Sequence, residues 1–299
     1  MPPFLALLLA VIACGCSVIF IRHSSLDAVQ LAAFRLLSAA LLLLPPFLRA
    51  VKRAGGYRRE WFYISFLAGI PLGLHLLLWN FGARLTSPGN ATLLVNLSPM
   101  FTPLLFWWVS GERVNRREII ATVLGLTGAA LLSFDSARIS RASLMGDLLC
   151  LLSMLAVCFY LAAGRRGRSV PSLWVYVVPV YAVSGGLCWI IAAFRGHGSP
   201  FAVPPVEWIW VMGLTVVCTL IGHTLINYAL TRLRGQIVSV TMQGQFIVAA
   251  LLGWWIEHVQ PRPVFYAAAL LTLGGIVILL LGKRGEPVAQ KSQGEPGQG

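Results

Sequence analysis

Apolar residues fall in ten long stretches parted by short polar turns, at 3–21, 27–48, 61–83, 88–110, 117–134, 144–163, 172–194, 207–229, 236–256 and 263–282. A hydrocarbon core about 30 Å thick takes roughly 20 apolar residues of helix to cross. Each stretch therefore predicts a crossing. The pattern as a whole predicts an all-α polytopic membrane protein of ten transmembrane helices. Only short loops remain between the stretches, which leaves no room for a separate soluble domain.

Composition agrees with the pattern. The chain is 58% hydrophobic and 11% charged, with mean hydropathy +0.79, whereas soluble domains carry about 25% charged residues. The net charge of +13 invites a nucleic-acid reading, but its distribution argues against one. Sixteen of the 23 Lys and Arg sit in alternate loops, six sit in the opposite set, and Arg35 lies inside a stretch. That asymmetry follows the positive-inside rule. It predicts a multi-pass protein of the cell membrane (a bacterial inner membrane) with both termini cytoplasmic. Val11-Ile12-Ala13-Cys14 has the look of a lipoprotein processing site. No Lys or Arg precedes it and the apolar run continues to Ile21, so we read a retained first span.

A weak internal repeat divides the chain. With an offset of 148, His75 meets His223, Arg84 meets Arg232 and Leu85 meets Leu233. Further on the offset falls to 145, and Glu112 meets Glu257 behind Trp107-Trp108 and Trp254-Trp255. The expected halves are 1–134 and 144–282. Five spans each is an odd number, so the second half enters the bilayer inverted, a construction that places a transporter's substrate site between halves near the midplane. Gly69-xxx-Gly73 and Gly125-xxx-Ala129 offer small residues for close helix packing. Residues 283–299, rich in Gly, Pro, Gln and charge, are expected to be a disordered cytoplasmic tail.

Candidate site residues are the polar groups inside apolar stretches. Arg35 lies about 12 Å down its helix from Asp27. Its planar fork suits a carboxylate or phosphate, although bonding to helix-end carbonyls or snorkelling would also satisfy it. His75 and His223 hold matching places and can donate, accept and titrate, or simply pack. The fourth stretch carries Asn90, Thr92, Asn96, Ser98 and Thr102 and the ninth Ser239, Thr241, Gln243 and Gln245, polar groups that bond across helices or line a cavity, and Gln243 pairs with Asn96 and Pro99 by repeat register. Asn96, Pro99 and Gln243 are the expected cavity liners, because Pro99 and Pro103 free backbone carbonyls that a bilayer tolerates only against protein or water. Trp79, Tyr160, Tyr176 and Tyr228 could wall the same space.

The six cysteines lie within the stretches and read as small hydrophobes rather than disulfides or metal ligands. No acidic residue sits mid-span, and no nucleotide-binding loop, zinc-protease motif or hydrolase elbow occurs. Neither a cofactor nor a metal is expected, and the chain is not read as an enzyme.

Phe34-Arg35, the Asn90-to-Pro99 stretch with Leu97-Ser98-Pro99, Gly111-Glu112, Gly146-Asp147, Tyr160 and Arg165-Arg166 occur in an order that resembles the EamA-type family of the drug/metabolite transporter superfamily. The likeness covers about residues 3–282. Gly244 stands where the family often has Pro, Ile256-Glu257 replaces Gly-Glu, and Cys14-Gly15-Cys16 replaces Trp-Gly. The resemblance implies ten helices in two inverted five-helix repeats, alternating access to a central cavity, and transport of small metabolites, mostly outward. The partners so expected are a small-molecule substrate and the lipid bilayer, with no nucleic acid; a homodimer is left open. The competing reading is an intramembrane enzyme or lipid-handling protein built on His75 and His223. A signalling receptor is weaker, for want of an output domain.

Overall fold

The computed structural model describes residues 1–86, 88–135, 141–195, 203–258 and 260–281. The 283–299 tail, Ser87 and the side chain of Asn90 lie outside the described residues. Those described form helices and no strand. In chain order they are α1 (Pro3–Gly15), α2 (Ser17–His23), α3 (Ala28–Leu42), α4 (Leu44–Arg53), α5 (Arg59–Leu85), α6 (Pro88–Val95), α7 (Thr102–Ser110), α8 (Arg116–Asp135), α9 (Arg141–Gly164) and α10 (Leu173–Phe194). There follow α11 (Glu207–Met212), α12 (Thr224–Arg232), α13 (Gly235–Met242), α14 (Gln245–Glu257) and α15 (Pro263–Leu281). A π-helical segment, Gly213–His223, joins α11 to α12.

Among the described residues, seven helical spans are long and apolar enough to cross a membrane, and α3 with α4, bent by 48° at their junction, makes an eighth if taken as one. This is fewer than the ten stretches predict. The fourth stretch explains part of the difference. It breaks between α6 and α7 into pieces of 8 and 9 residues, each too short to cross alone. Pro99 and Pro103 cause the break, because neither can donate to the carbonyl four residues back. The ninth stretch turns at Gln243–Gly244 between α13 and α14 yet remains one of the seven spans. α8 keeps Arg116, Arg117 and Glu118 in its first turn and Asp135 at its end.

Large apolar side chains face outward all round, with Phe194, Leu281, Trp255 and Leu270 each more than 70% exposed. In water such a surface would aggregate; in lipid it is the proper exterior. With no hydrophobic drive between helices in a bilayer, close approach of small residues holds them. Gly69 and Gly73 of α5 sit against Val183 and Ser184 of α10, where an added methyl would come within 2.8 Å of Val183 and 3.1 Å of the Ser184 carbonyl. Gly82 sits likewise on Cys150 and the Gly146 backbone of α9. Gly125 lies against Gln243, and Ala129 is buried.

The tightest backbone contact joins α8 to α15. A Cβ on Gly128 would lie 2.8 Å from the Ala268 carbonyl oxygen, and one on Gly275 the same distance from that of Ala121. Backbone cannot rotate away as a side chain can. Gly275→Val is therefore expected to lower the thermal midpoint in detergent by roughly 3–10 °C, from an overpacking cost of about 1–3 kcal/mol. Gly274→Val, on the same helix with open space at its Cβ, should leave it unchanged; a thermal series followed by size-exclusion chromatography reads both.

Candidate functional site

The centre of the bundle holds a cavity of about 50 Å³ lined from both halves of the chain. Cys14 and Ser17 come from the α1–α2 junction, Arg35 from α3, His75 and Trp79 from α5, and Asn96 and Ser98 from the break in the fourth stretch. The second half contributes Tyr160, His223, Met242 and Gln245. Room for one or two waters exists here, far less than the 300 Å³ or more that a ligand pocket needs. A cavity of this size holds no drug-sized molecule as it stands.

Arg35 is 1% exposed. Its Nε donates to Thr219 Oγ1 at 2.6 Å, while Thr215 Oγ1 donates to the Arg35 carbonyl at 3.2 Å. The π-helical turns bring Thr219 to the guanidinium: its hydroxyl also reaches the Leu214 carbonyl five residues back, at 3.0 Å. Such insertions recur at functional sites. Arg35 joins no ion pair among the described residues, and its buried Nη1 has no hydrogen-bond partner there. An unpaired buried cation is costly, and the cavity is where its spare donors can be met.

The two histidines meet across the cavity, ring centroids 6.3 Å apart. His75 Nδ1 lies 3.1 Å from the Ser153 carbonyl and 2.8 Å from Ser153 Oγ. A carbonyl only accepts, so the network assigns the proton to Nδ1 and leaves Nε2 as an acceptor. Ser153 Oγ donates in turn to the His75 carbonyl at 3.0 Å. His223 Nδ1 is buried without a partner among the described residues, and its ring packs 5.9 Å from that of Tyr160. Asn227 Nδ2 donates to the Tyr160 hydroxyl at 2.5 Å and to the His223 carbonyl at 2.8 Å. Asn96 Nδ2 turns back onto the Thr92 carbonyl at 2.7 Å.

Four of the six residues singled out from sequence, Arg35, His75, Asn96 and His223, thus share one cavity. Pro99 and Gln243 lie outside its lining. The Pro99 carbonyl, which Pro103 cannot serve, accepts instead from Gln236 Nε2 at 3.1 Å. Gln243 packs on Gly125, and Gln245, two residues on, faces the cavity. Trp79 and Tyr160 wall the space. Tyr176 is buried outside the lining, and the Tyr228 hydroxyl bonds the Met1 carbonyl. Sequence reasoning missed Thr219, Ser153 and Ser17. The Thr215-to-Thr219 spacing was the one available signal for the first of these.

A cluster of ion-paired side chains lies toward each end of the bundle. At one end Arg165 forms a buried ion pair with Glu112 and donates to the Leu233 carbonyl at 2.6 Å. Beside it Arg234 pairs with Glu118 at 2.5 Å, and Glu112 accepts from the Gly235 backbone at 2.9 Å. At the other end Arg22 lies 3.5 Å from Glu257 and donates to the Thr86 carbonyl at 3.4 Å; this pair is 33% and 20% exposed. Gly146 packs on Leu85 and Thr86, and Arg165 lies 19 residues beyond Gly146 along α9 and its short 3-10 continuation. The two clusters are thus roughly 28 Å apart along the helix axis.

A family model for EamA-like transporters matches residues 1–134 and 144–281. The chain belongs to the EamA-like transporter family. Two uncharacterized transporters of Archaeoglobus fulgidus are similar to this EamA-like chain. One is 24% identical over 273 residues, covering 88% of this chain and 91% of that protein; the other is 25% identical over 281 residues, covering 92% of each. A solved crystal structure superposes with a TM-score of 0.74 at 19% identity, covering 93% of this chain and 97% of that one. That likeness shows the fold alone. Family, relatives and apolar helices together make the chain a multi-pass membrane transporter.

Proposed function

We propose that the chain is a secondary transporter of a small polar or amphipathic metabolite bearing an anionic group, working by alternating access and outward from the cell. The observation that carries this reading is Arg35: a buried guanidinium with spare donors, no acidic partner among the described residues, and a cavity in front of it. Arg35 orients the anionic group, His75, His223 and Asn96 supply neutral hydrogen bonds, and Trp79 and Tyr160 cover the apolar remainder. Pro99 and Gln243 act indirectly, by setting the breaks in the fourth and ninth stretches.

The end clusters support alternation between two inverted halves. Arg22 and Arg165 close the first and sixth spans, and Glu112 and Glu257 close the fourth and ninth, so each pair joins equivalent places in the two repeats. The separate family matches at 1–134 and 144–281 support the same division. In this account ten crossings put one latch at each face with the termini in the cytoplasm. Opening one latch while the other holds exposes the cavity to one side.

The test is flux. Inverted vesicles from expressing cells should accumulate a small anionic metabolite from a broad panel in a saturable, protein-dependent way. Equal flux with and without the protein across the panel rejects the reading. His75→Gln should leave a measurable part of that flux; product formation that disappears with His75 would favour the enzyme reading instead.

A further inference from the structure

A second cavity, distinct from the central one, opens beside α4. It is a cleft of about 510 Å³ lined by Pro46, Arg49 and Arg53 of α4 and by Pro171, Ser172 and Trp174 at the start of α10. The transport reading uses none of these residues. Arg49 and Arg53 are one helical turn apart and exposed, and neither joins an ion pair among the described residues. No acidic side chain lines the cleft. Two guanidiniums spaced this way converge on one oxyanion, which each can grip by a planar fork.

Position on the helix says what carries that oxyanion. α4 turns 48° from α3 behind Pro45 and Pro46. On the helical wheel Leu44 and Leu48 hold one flank and Arg49, Lys52 and Arg53 another, while Phe47 and Val51 pack inward on the core. Leu41, Leu44 and Leu48, at the α3–α4 bend and on the flank of α4 next to that basic group, are 68%, 40% and 56% exposed. A helix so divided lies in the membrane–water boundary, with its exposed leucines toward acyl chains. A soluble anion has no use for the leucines, whereas a lipid uses both halves of the surface. Trp174, an indole at the same level, is the usual anchor of that boundary.

We propose that this cleft binds the phosphodiester headgroup of an anionic phospholipid, its acyl chains lying over Leu41, Leu44 and Leu48. Ser172 already caps α10 by accepting from the Trp174 amide at 3.3 Å, so the arginines rather than the helix end provide the grip. The occupant tethers α4, in the first half, to α10, in the second.

The test measures lipid binding to the purified full-length protein by native mass spectrometry, using phosphatidylglycerol, phosphatidylcholine of the same chains, diacylglycerol and inorganic phosphate. Phosphatidylglycerol is expected to bind about tenfold more tightly than phosphatidylcholine. Arg49→Gln with Arg53→Gln should abolish the preference. Arg116→Gln with Arg117→Gln, which removes equal charge from the exposed first turn of α8, should preserve it. Arg53→Lys, which keeps charge but loses the fork, should weaken it about threefold. Equal binding of both lipids, equal loss in the two double variants, or displacement of phosphatidylglycerol by equimolar inorganic phosphate would overturn the proposal. These outcomes do not depend on any flux measurement, so failure here leaves the transport reading untouched.

Discussion

Arg35→Gln is expected to lower flux of the anionic solute about 100-fold while leaving the yield of folded protein unchanged. Removing one partner of a buried charge pair costs about 2–5 kcal/mol of binding, or some thirtyfold to several thousandfold. The folded state behaves differently. Arg35 keeps one hydrogen bond to Thr219 and leaves Nη1 unmet, so its charge is desolvated without full return, and a neutral amide of similar reach relieves that burden. Arg35→Lys should fall between, because a point charge attracts the anion but cannot hold both the solute fork and Thr219. Flux in vesicles and thermal midpoint in detergent, measured on the same preparations, check this. Wild-type flux in Arg35→Gln would make the guanidinium purely structural.

Glu112→Gln carries the second large effect, and on stability. Its carboxylate and the Arg165 guanidinium are buried against each other, so the substitution strands a cation and costs about 3–5 kcal/mol. The thermal midpoint should drop by roughly 10 °C or more. Glu257→Gln at the other end should cost under about 1 kcal/mol, because the Arg22 pair is longer and open to solvent. Replacing both partners by apolar residues, Glu112→Leu with Arg165→Met, should recover most of the loss. Equal midpoints for Glu112→Gln and Glu257→Gln would refute the asymmetry between the two ends.

Much of this architecture is legible in residue pattern. Apolar length and loop charge alone give an all-helical membrane chain, and described helices occupy all ten stretches, although only seven spans, or eight, meet the length and hydropathy of a crossing. The shortfall reflects backbone that hydropathy does not sense. Pro99 and Pro103 split the fourth stretch and the 48° bend divides α3 from α4 in the second, whereas the ninth turns at Gln243–Gly244 and still counts as a crossing. Arg35, His75, Asn96 and His223 stood out because polar groups in apolar helix need a reason, and they share a cavity. Gln243 shows where register fails: beyond a break the faces rotate, so it meets Gly125 and its neighbour Gln245 meets the cavity. Thr219 offered nothing but its spacing from Thr215, for a related cause. A π-helical segment shifts every later face, and an ordinary threonine in an apolar helix announces nothing of the turn it sits in.

Ser17 lines the cavity and is nearly buried, which makes it a reporter of which face the centre can reach. In a variant with the native cysteines replaced, Ser17→Cys would be treated with a membrane-impermeant thiol reagent, once in intact cells and once in inverted vesicles. Alternation predicts slow modification from both faces. Adding Glu112→Gln should speed modification from the Glu112 face and slow it from the other. Modification from one face alone, unmoved by Glu112→Gln, would contradict the account.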